Sequence, residues 1–364
     1  MKKQVLLTLF AVAIMATACT QKKEYKKALG TNMLWADEVG FFASSASVFE
    51  ENGTTYYIYE ANKNKNEETV YFAMRSSTGD LSDASYSKAK IILEPSASGW
   101  DRYINSPSVV KGEFKKDGKT YNYIMTYGGR KSERDLANQV GLAYAESLEG
   151  PWTKLEKPII KYDAEESGDE YGAGAPSMVS YDKKGKVRLF YSYAETNLCN
   201  EKVIDCDFSD LDHIVMDAGG RHISVNGLRD NADNVIFSNA DFAIDSENNL
   251  YVVRDVYPLS YNTPGHATSI QTAKADARIL NDFVNYEWDV RNTLNTSMTV
   301  DFEDDDSMGW DEIYSPAFVT DAYGHIPEGS DKLVIVYSTA VEPEERSDTT
   351  YKWSPCLAYH EVNL

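Results

Sequence analysis

Metal-binding and nucleophile motifs are scarce in this chain, and each absence closes a class of chemistry. With four cysteines and five histidines in 364 residues, there is no Cys-x-x-Cys pair and no His-x-x-x-His spacing, so a structural zinc site has no support. A Gly-x-Ser-x-Gly elbow is missing, and so is a glycine loop able to cradle phosphate. The acidic run Asp301–Asp306 lacks the glycine and the distal glutamate of an EF-hand and reads as a solvated loop. No cofactor is implied; a single structural or central metal ion is left open. Basic residues are also in deficit: 36 Lys and Arg against 57 Asp and Glu give a formal charge of −21. Long-range repulsion then opposes nucleic acid and anionic lipid surfaces, and favours a neutral or cationic ligand.

Met1–Thr20 reads as a secretory signal: two lysines, an apolar run too short to span a bilayer, then small residues before Cys19. Losing Lys2 and Lys3 with it takes the charge from −21 to −23. Ala16-Thr17-Ala18-Cys19 is similar to a bacterial lipobox, which would make Cys19 the lipidated first residue; the alternative is an ordinary cleaved signal with an incidental cysteine. The expected division is signal 1–18, lipidated tether 19–33 and a single domain 34–364. Resemblance to bacterial lipoproteins, in which acidic residues just after the lipidated cysteine accompany surface display, implies that the basic tether Gln21–Lys27 faces the periplasmic side of the outer membrane rather than the cell surface, with the anchor as the sole membrane contact. Cys199 and Cys206 flank what reads as a loop of the third repeat, where they either close a disulfide or stay unpaired. Cys356 reads as a buried strand residue.

What the chain has in plenty is a repeated hairpin. Five units begin at Ser44, Asn105, Gly174, Ser238 and Tyr314, spaced by roughly 60 to 75 residues. Each holds a small residue, Pro or Ala, a few apolar residues, a Gly/Asn/Asp turn and an aromatic second strand. Third strands follow, as in the runs from Val70 and Val140, and then a fourth. Five four-stranded units in a ring fit this better than a sandwich, so the expected fold is all-β, a five-bladed β-propeller with four antiparallel strands per blade.

The pattern resembles the five-bladed β-propeller glycoside hydrolases of family 43 and its relatives, families 62, 32, 68 and 117. The matching stretches are Asn105-Ser106-Pro107-Ser108-Val109, Gly174-Ala175-Pro176-Ser177-Met178 and Tyr314-Ser315-Pro316-Ala317-Phe318. Val140–Ile160 is similar to the family's outer strands, where Gly150-Pro151-Trp152 closes a turn and packs an indole between blades. The resemblance spans nearly all of the mature chain. It implies carboxylates just before the proline, or two residues before it, on three innermost strands. Here the positions immediately before that residue are Ser45, Ser106, Ala175, Asn239 and Ser315, none of which ionises near neutral pH. The paired acids that glycoside hydrolysis needs are absent from their usual place.

Replacements would stand on the loops before the first strands and after the second, which line the mouth of the funnel. Of the acids there, Glu170, in Asp169-Glu170-Tyr171, is the candidate proton donor, with Asp101 as base or as its positioning partner. Trp100-Asp101 and Trp310-Asp311 recur before their strands, as sugar-stacking rings beside hydroxyl acceptors or as plugs between blades. Arg130, Glu195, Arg254 and Asp255 follow second strands. Arg130 and Arg254 are candidates to hold a sugar or uronic acid, or form ion pairs between blades. Asn239 completes the binding candidates, and Glu60 and His266 stand on the same loops. The expected activity is that of a glycoside hydrolase-like lipoprotein acting on an oligo- or polysaccharide. The alternatives are a glycan-binding propeller that has lost its carboxylates and a protein-interaction propeller.

Overall fold

The computed structural model describes residues 34, 43–63, 69–81, 84–132, 137–162, 171–195, 198–228, 237, 239–256, 267, 269–276, 286–295, 312–340 and 356–364. Every regular element among them is a β-strand, with no helix. The first unit holds β1 (Ala43–Glu51), β2 (Thr54–Ala61), β3 (Tyr71–Thr78), β4 (Ser85–Tyr86) and β5 (Lys90–Leu93). The second holds β6 (Tyr103–Lys116), β7 (Lys119–Arg130), β8 (Gln139–Ala145) and β9 (Thr153–Lys154). In the third are β10 (Ala173–Ser180), β11 (Lys186–Glu195), β12 (Leu198–Asp207), β13 (Val215–Met216) and β14 (Arg221–His222). The fourth has β15 (Asp241–Ile244), β16 (Leu250–Val256), β17 (Ser269–Ala275) and β18 (Asp289–Asn295), and the last has β19 (Glu312–Asp321), β20 (Lys332–Ala340) and β21 (Cys356–Asn363).

The hairpins close where the sequence marks them. Asn52-Gly53 and Asp117-Gly118 both take left-handed backbone angles at their two central positions, φ 53° and 76°, then 51° and 75°, as a twisted two-residue turn requires. Within each unit the strands pair antiparallel in chain order. The units fall into four sheets because the first and last are fused: β1 lies parallel to β19, with Val48 opposite Val319 and Phe49 opposite Thr320. The two ends of the domain are therefore joined by backbone pairing.

Both faces of each sheet are covered, so strands such as β8 and β10 are buried along their whole length. The apolar core is split into five clusters, each shared by two consecutive units. Phe72, Met74 and Leu93 of the first meet Ile104, Met125 and Trp152 of the second, so the indole after the Gly150-Pro151 turn sits between units. Phe190 stacks on Phe242, ring centres 4.0 Å apart, between the third and fourth. Val48 and Tyr57 meet Val319 and Val336 across the fused pair. Gly112 lets the second and third units approach: a Cβ there would lie 1.8 Å from the Lys184 carbonyl oxygen.

A second set of bonds stitches the innermost strands. Ser45, Ser106, Ala175, Asn239 and Ser315 all have positive φ, between 42° and 49°. In β1, β6, β10 and β19 the ladder slips just there. Such bulges leave backbone groups unpaired within their own sheet, and side chains of the preceding unit accept them. Ser47 Oγ accepts from Val109 N (3.1 Å), Ser108 Oγ from Met178 N (3.0 Å), Ser177 Oγ from Phe242 N (3.0 Å) and Asp241 Oδ2 from Phe318 N (2.8 Å). The equivalent position in the last unit is Ala317, and there the β1–β19 ladder makes the joint instead.

One expectation is corrected. Cys199 and Cys206 lie on the same strand, β12, paired with Ala194 and Val187 of β11. Seven residues of strand separate them by roughly 23 Å, far beyond disulfide reach, and Cys206 is a free, buried thiol. Cys356 begins β21, as a strand residue.

Ser177 tests the stitching, because its hydroxyl accepts from Phe242 N and donates to Asp241 Oδ1 (2.7 Å) while buried. Ser177→Ala strands a buried N–H and is expected to lower stability by about 1–3 kcal/mol in urea unfolding. A variant as stable as the parent would show that the joints do not depend on these bonds.

Candidate functional site

The innermost strands surround a central cavity lined by the five positive-φ residues, Ser45, Ser106, Ala175, Asn239 and Ser315, with Pro107, Pro176 and Pro316 beside them. Among the described residues no bulky apolar side chain lines it. Its volume is about 40 Å³, room for a few waters at most and far below the several hundred Å³ of a typical ligand pocket.

Around the cavity stand carboxylates that are spoken for. Glu60, at the end of β2, accepts from Ser106 N (2.7 Å) and the Ser44 hydroxyl (3.0 Å). Asp255, at the equivalent place in the fourth unit, accepts from Ser315 N and from Asn239 Nδ2, both at 2.8 Å. Asp241 takes Ser177 Oγ on one oxygen and Phe318 N on the other. Glu201 on β12 accepts from Ser192 Oγ (3.1 Å), and its other oxygen has no partner. Burial raises all four pKa values against the opposing pull of these hydrogen bonds. Asp241 is pushed up to about 6 and Asp255 to about 7; Glu60 rises, and Glu201 rises well above the usual range. Sequence reasoning singled out Glu60 and Asp255 by position but missed Asp241 and Glu201. Asp241 was findable, since it occupies the place of Ser47, Ser108 and Ser177 in the aligned units.

The predicted site residues fall into separate groups. Asp169, Glu170, Trp310, Asp311 and His266 lie outside the described residues, as does Cys19. Asp101 is buried, its Oδ2 held by Lys154 Nζ (2.8 Å) and Tyr127 OH (3.1 Å). Trp100 stacks on Tyr127 with ring centres 5.9 Å apart and donates Nε1–H to the Glu156 carbonyl. Its edge fills the notch left by Gly129 and Gly141, which is the packing role. Tyr171 lends its carbonyl to both Asn138 N and Asn138 Nδ2. Glu195 ends β11 opposite Leu198.

Asn239, Arg254 and Asp255 do come together, but as a joint between units. Arg254 is fully buried, donating to the Asp255 backbone carbonyl (3.1 Å) and to Gln271 Oε1 (3.0 Å). That placement spends its guanidinium inside the fold. Arg130, at the end of β7, lies near Glu60 and remains partly exposed.

The raised aspartates carry a pH signature. Their folded pKa values exceed the ordinary value of about 3.9, so the folded state holds protons that the unfolded chain releases. Their stability contribution is complete below about pH 4 and declines as pH rises through their folded values, about 6 and about 7. The thermal midpoint of Asp241→Asn/Asp255→Asn should therefore change less between about pH 4 and 7 than that of the parent. Parallel curves would exclude these groups as the source.

No family model matches the chain, and no curated protein matches it. Solved structures do. An α-L-arabinofuranosidase from Podospora anserina in complex with cellotriose superposes with a TM-score of 0.54 at 12% identity, covering 92% of this chain and 98% of that one. A family 117 glycoside hydrolase of the marine bacterium Zobellia galactanivorans gives 0.56 at 12% identity over 92% and 89%. A GH62 hydrolase in complex with xylotriose gives 0.55 at 12% identity over 91% and 95%. Over nearly its whole length, the chain shares the all-β, propeller-like fold of these glycoside hydrolases.

Proposed function

We propose that this protein is a five-bladed β-propeller that recognises carbohydrate at the mouth of its hub, and that it binds glycan without cleaving it. The carbohydrate half of the reading is supported by fold: two of the structural neighbours hold cellotriose and xylotriose, and the likeness runs along nearly the full chain. The non-catalytic half is carried by one observation. Among the described residues, Glu60, Asp241 and Asp255 each have both oxygens hydrogen-bonded, with at least one oxygen of each fastening one unit to the next, while Glu201 is fully buried. A general acid or base must exchange a proton with substrate, and a nucleophile must reach the anomeric carbon; these groups face neighbouring strands.

The hydrolytic alternative keeps Glu170 as proton donor and Asp101 as base or positioning partner, and is favoured by the structural neighbours being an arabinofuranosidase and a glycoside hydrolase. A panel of plant and host oligosaccharides, assayed both for binding and for reducing-end release, separates the two. The expected result is binding without turnover. Turnover that disappears in Glu170→Gln and Asp101→Asn, with folding intact, would establish hydrolysis. Silence in both assays would favour a protein-interaction propeller.

We further propose that Cys19 carries the lipid and that residues 1–18 are removed, leaving the domain tethered to the outer membrane on its periplasmic side. Cys19→Ser is expected to move the protein from the membrane to the soluble fraction and to abolish fatty-acid labelling. Retention of either would refute the anchor.

A further inference from the structure

Two arginines end second strands on the side of the hub mouth, and they differ in what they touch. Arg254 is buried among its own partners. Arg130 lies opposite Tyr103 across the β6–β7 pair, with its guanidinium 6.0 Å from the Tyr103 ring centre. It is only partly exposed, and its Nε is shielded from water with no acceptor. Among the described residues no carboxylate pairs with it. Glu60 is close enough for their charges to interact, but its oxygens are taken by Ser106 N and Ser44 Oγ.

In a chain with 57 acids against 36 bases, other bases without an ion pair among the described residues, such as Lys88, Arg102, Lys115 and Lys186, are exposed, whereas Arg130 is half-buried. Lys63, Lys90, Lys111, Lys119 and Lys154 each sit on a carboxylate. The shielded Nε is beyond a ligand's reach as it is beyond water's, so the donors open to an incoming acceptor are the Nη groups, which no hydrogen bond among the described residues engages. The fork of a guanidinium matches a carboxylate in shape, and both oxygens can be held at once. The Tyr103 ring beside it offers an apolar face to the C–H surface of a pyranose.

We propose that Arg130, backed by Tyr103, recognises a carboxylate, and that the glycan taken at the mouth contains uronic acid residues. The inference rests on the carbohydrate reading above. It also narrows the expectation drawn from net charge. Repulsion by an acidic protein is screened beyond about 8 Å in physiological salt, whereas an Arg–carboxylate contact acts within hydrogen-bond distance.

The test uses oligosaccharides of galacturonate, glucuronate and mannuronate, each beside its carboxyl-reduced counterpart, in titrations against the full domain. The parent should bind at least one acidic form about tenfold or more tightly than its reduced form. Arg130→Gln should erase that preference, weakening binding of the acidic form far more than that of the reduced form, and Arg130→Lys should restore only part of it. Equal affinity of the parent for acidic and reduced forms, or a preference that survives Arg130→Gln, overturns the inference and leaves the carbohydrate reading standing. Failure to bind any glycan, neutral or acidic, overturns both. The comparison on the parent alone decides the matter even if the variants do not fold.

Discussion

The hydrogen-bonding needs of a bulged backbone govern this structure. Each unit turns into the centre through a residue with left-handed φ, and such a residue leaves its strand's regular ladder. A buried N–H without an acceptor costs on the order of 1–3 kcal/mol, so the neighbouring unit must supply one. Ser338, Glu60, Ser192 and Asp255 do so for Ser45, Ser106, Asn239 and Ser315. A unit removed from the ring would leave these groups unsatisfied and an apolar face bare, which explains why the core is divided between neighbours rather than enclosed within each sheet.

The acceptors are not uniform, and their differences have electrostatic consequences. The joint between the fourth and last units is held by two carboxylates, Asp241 and Asp255, where the joint between the third and fourth uses the hydroxyls of Ser177 and Ser192. A carboxylate accepts more strongly than a hydroxyl but resists burial in its charged form. This balance raises both pKa values toward neutrality. Perturbed acids often mark catalytic sites, and structural networks perturb them too; the bonding partners here favour the second account.

The hub is narrow and carries Ser, Ala and Asn at the positions where the resemblance implied acids. A fold shared with hydrolases is then compatible with recognition alone, since chemistry belongs to particular side chains rather than to the scaffold. The same distinction separates Arg254 from Arg130. Both stand near the ends of second strands, three residues apart in register, yet Arg254 is fully buried and bonded to Gln271 and the Asp255 carbonyl, whereas Arg130 is partly exposed.

Read by itself, the chain determined the strands, the hairpin turns at Asn52-Gly53 and Asp117-Gly118, and the residue at which innermost strands turn inward. These are local matters of alternation, β-branching and residues that tolerate positive φ. It misplaced Cys199 and Cys206 because an apparent loop belongs to a continuous β12. Tertiary structure alone decided which polar side chains are consumed by the fold and which remain for a ligand. Phe318 meets Asp241 across 77 residues and Ser45 meets Ser338 across 293. Pairings at such separations depend on how the sheets close on one another, and no local pattern of residues records that closure.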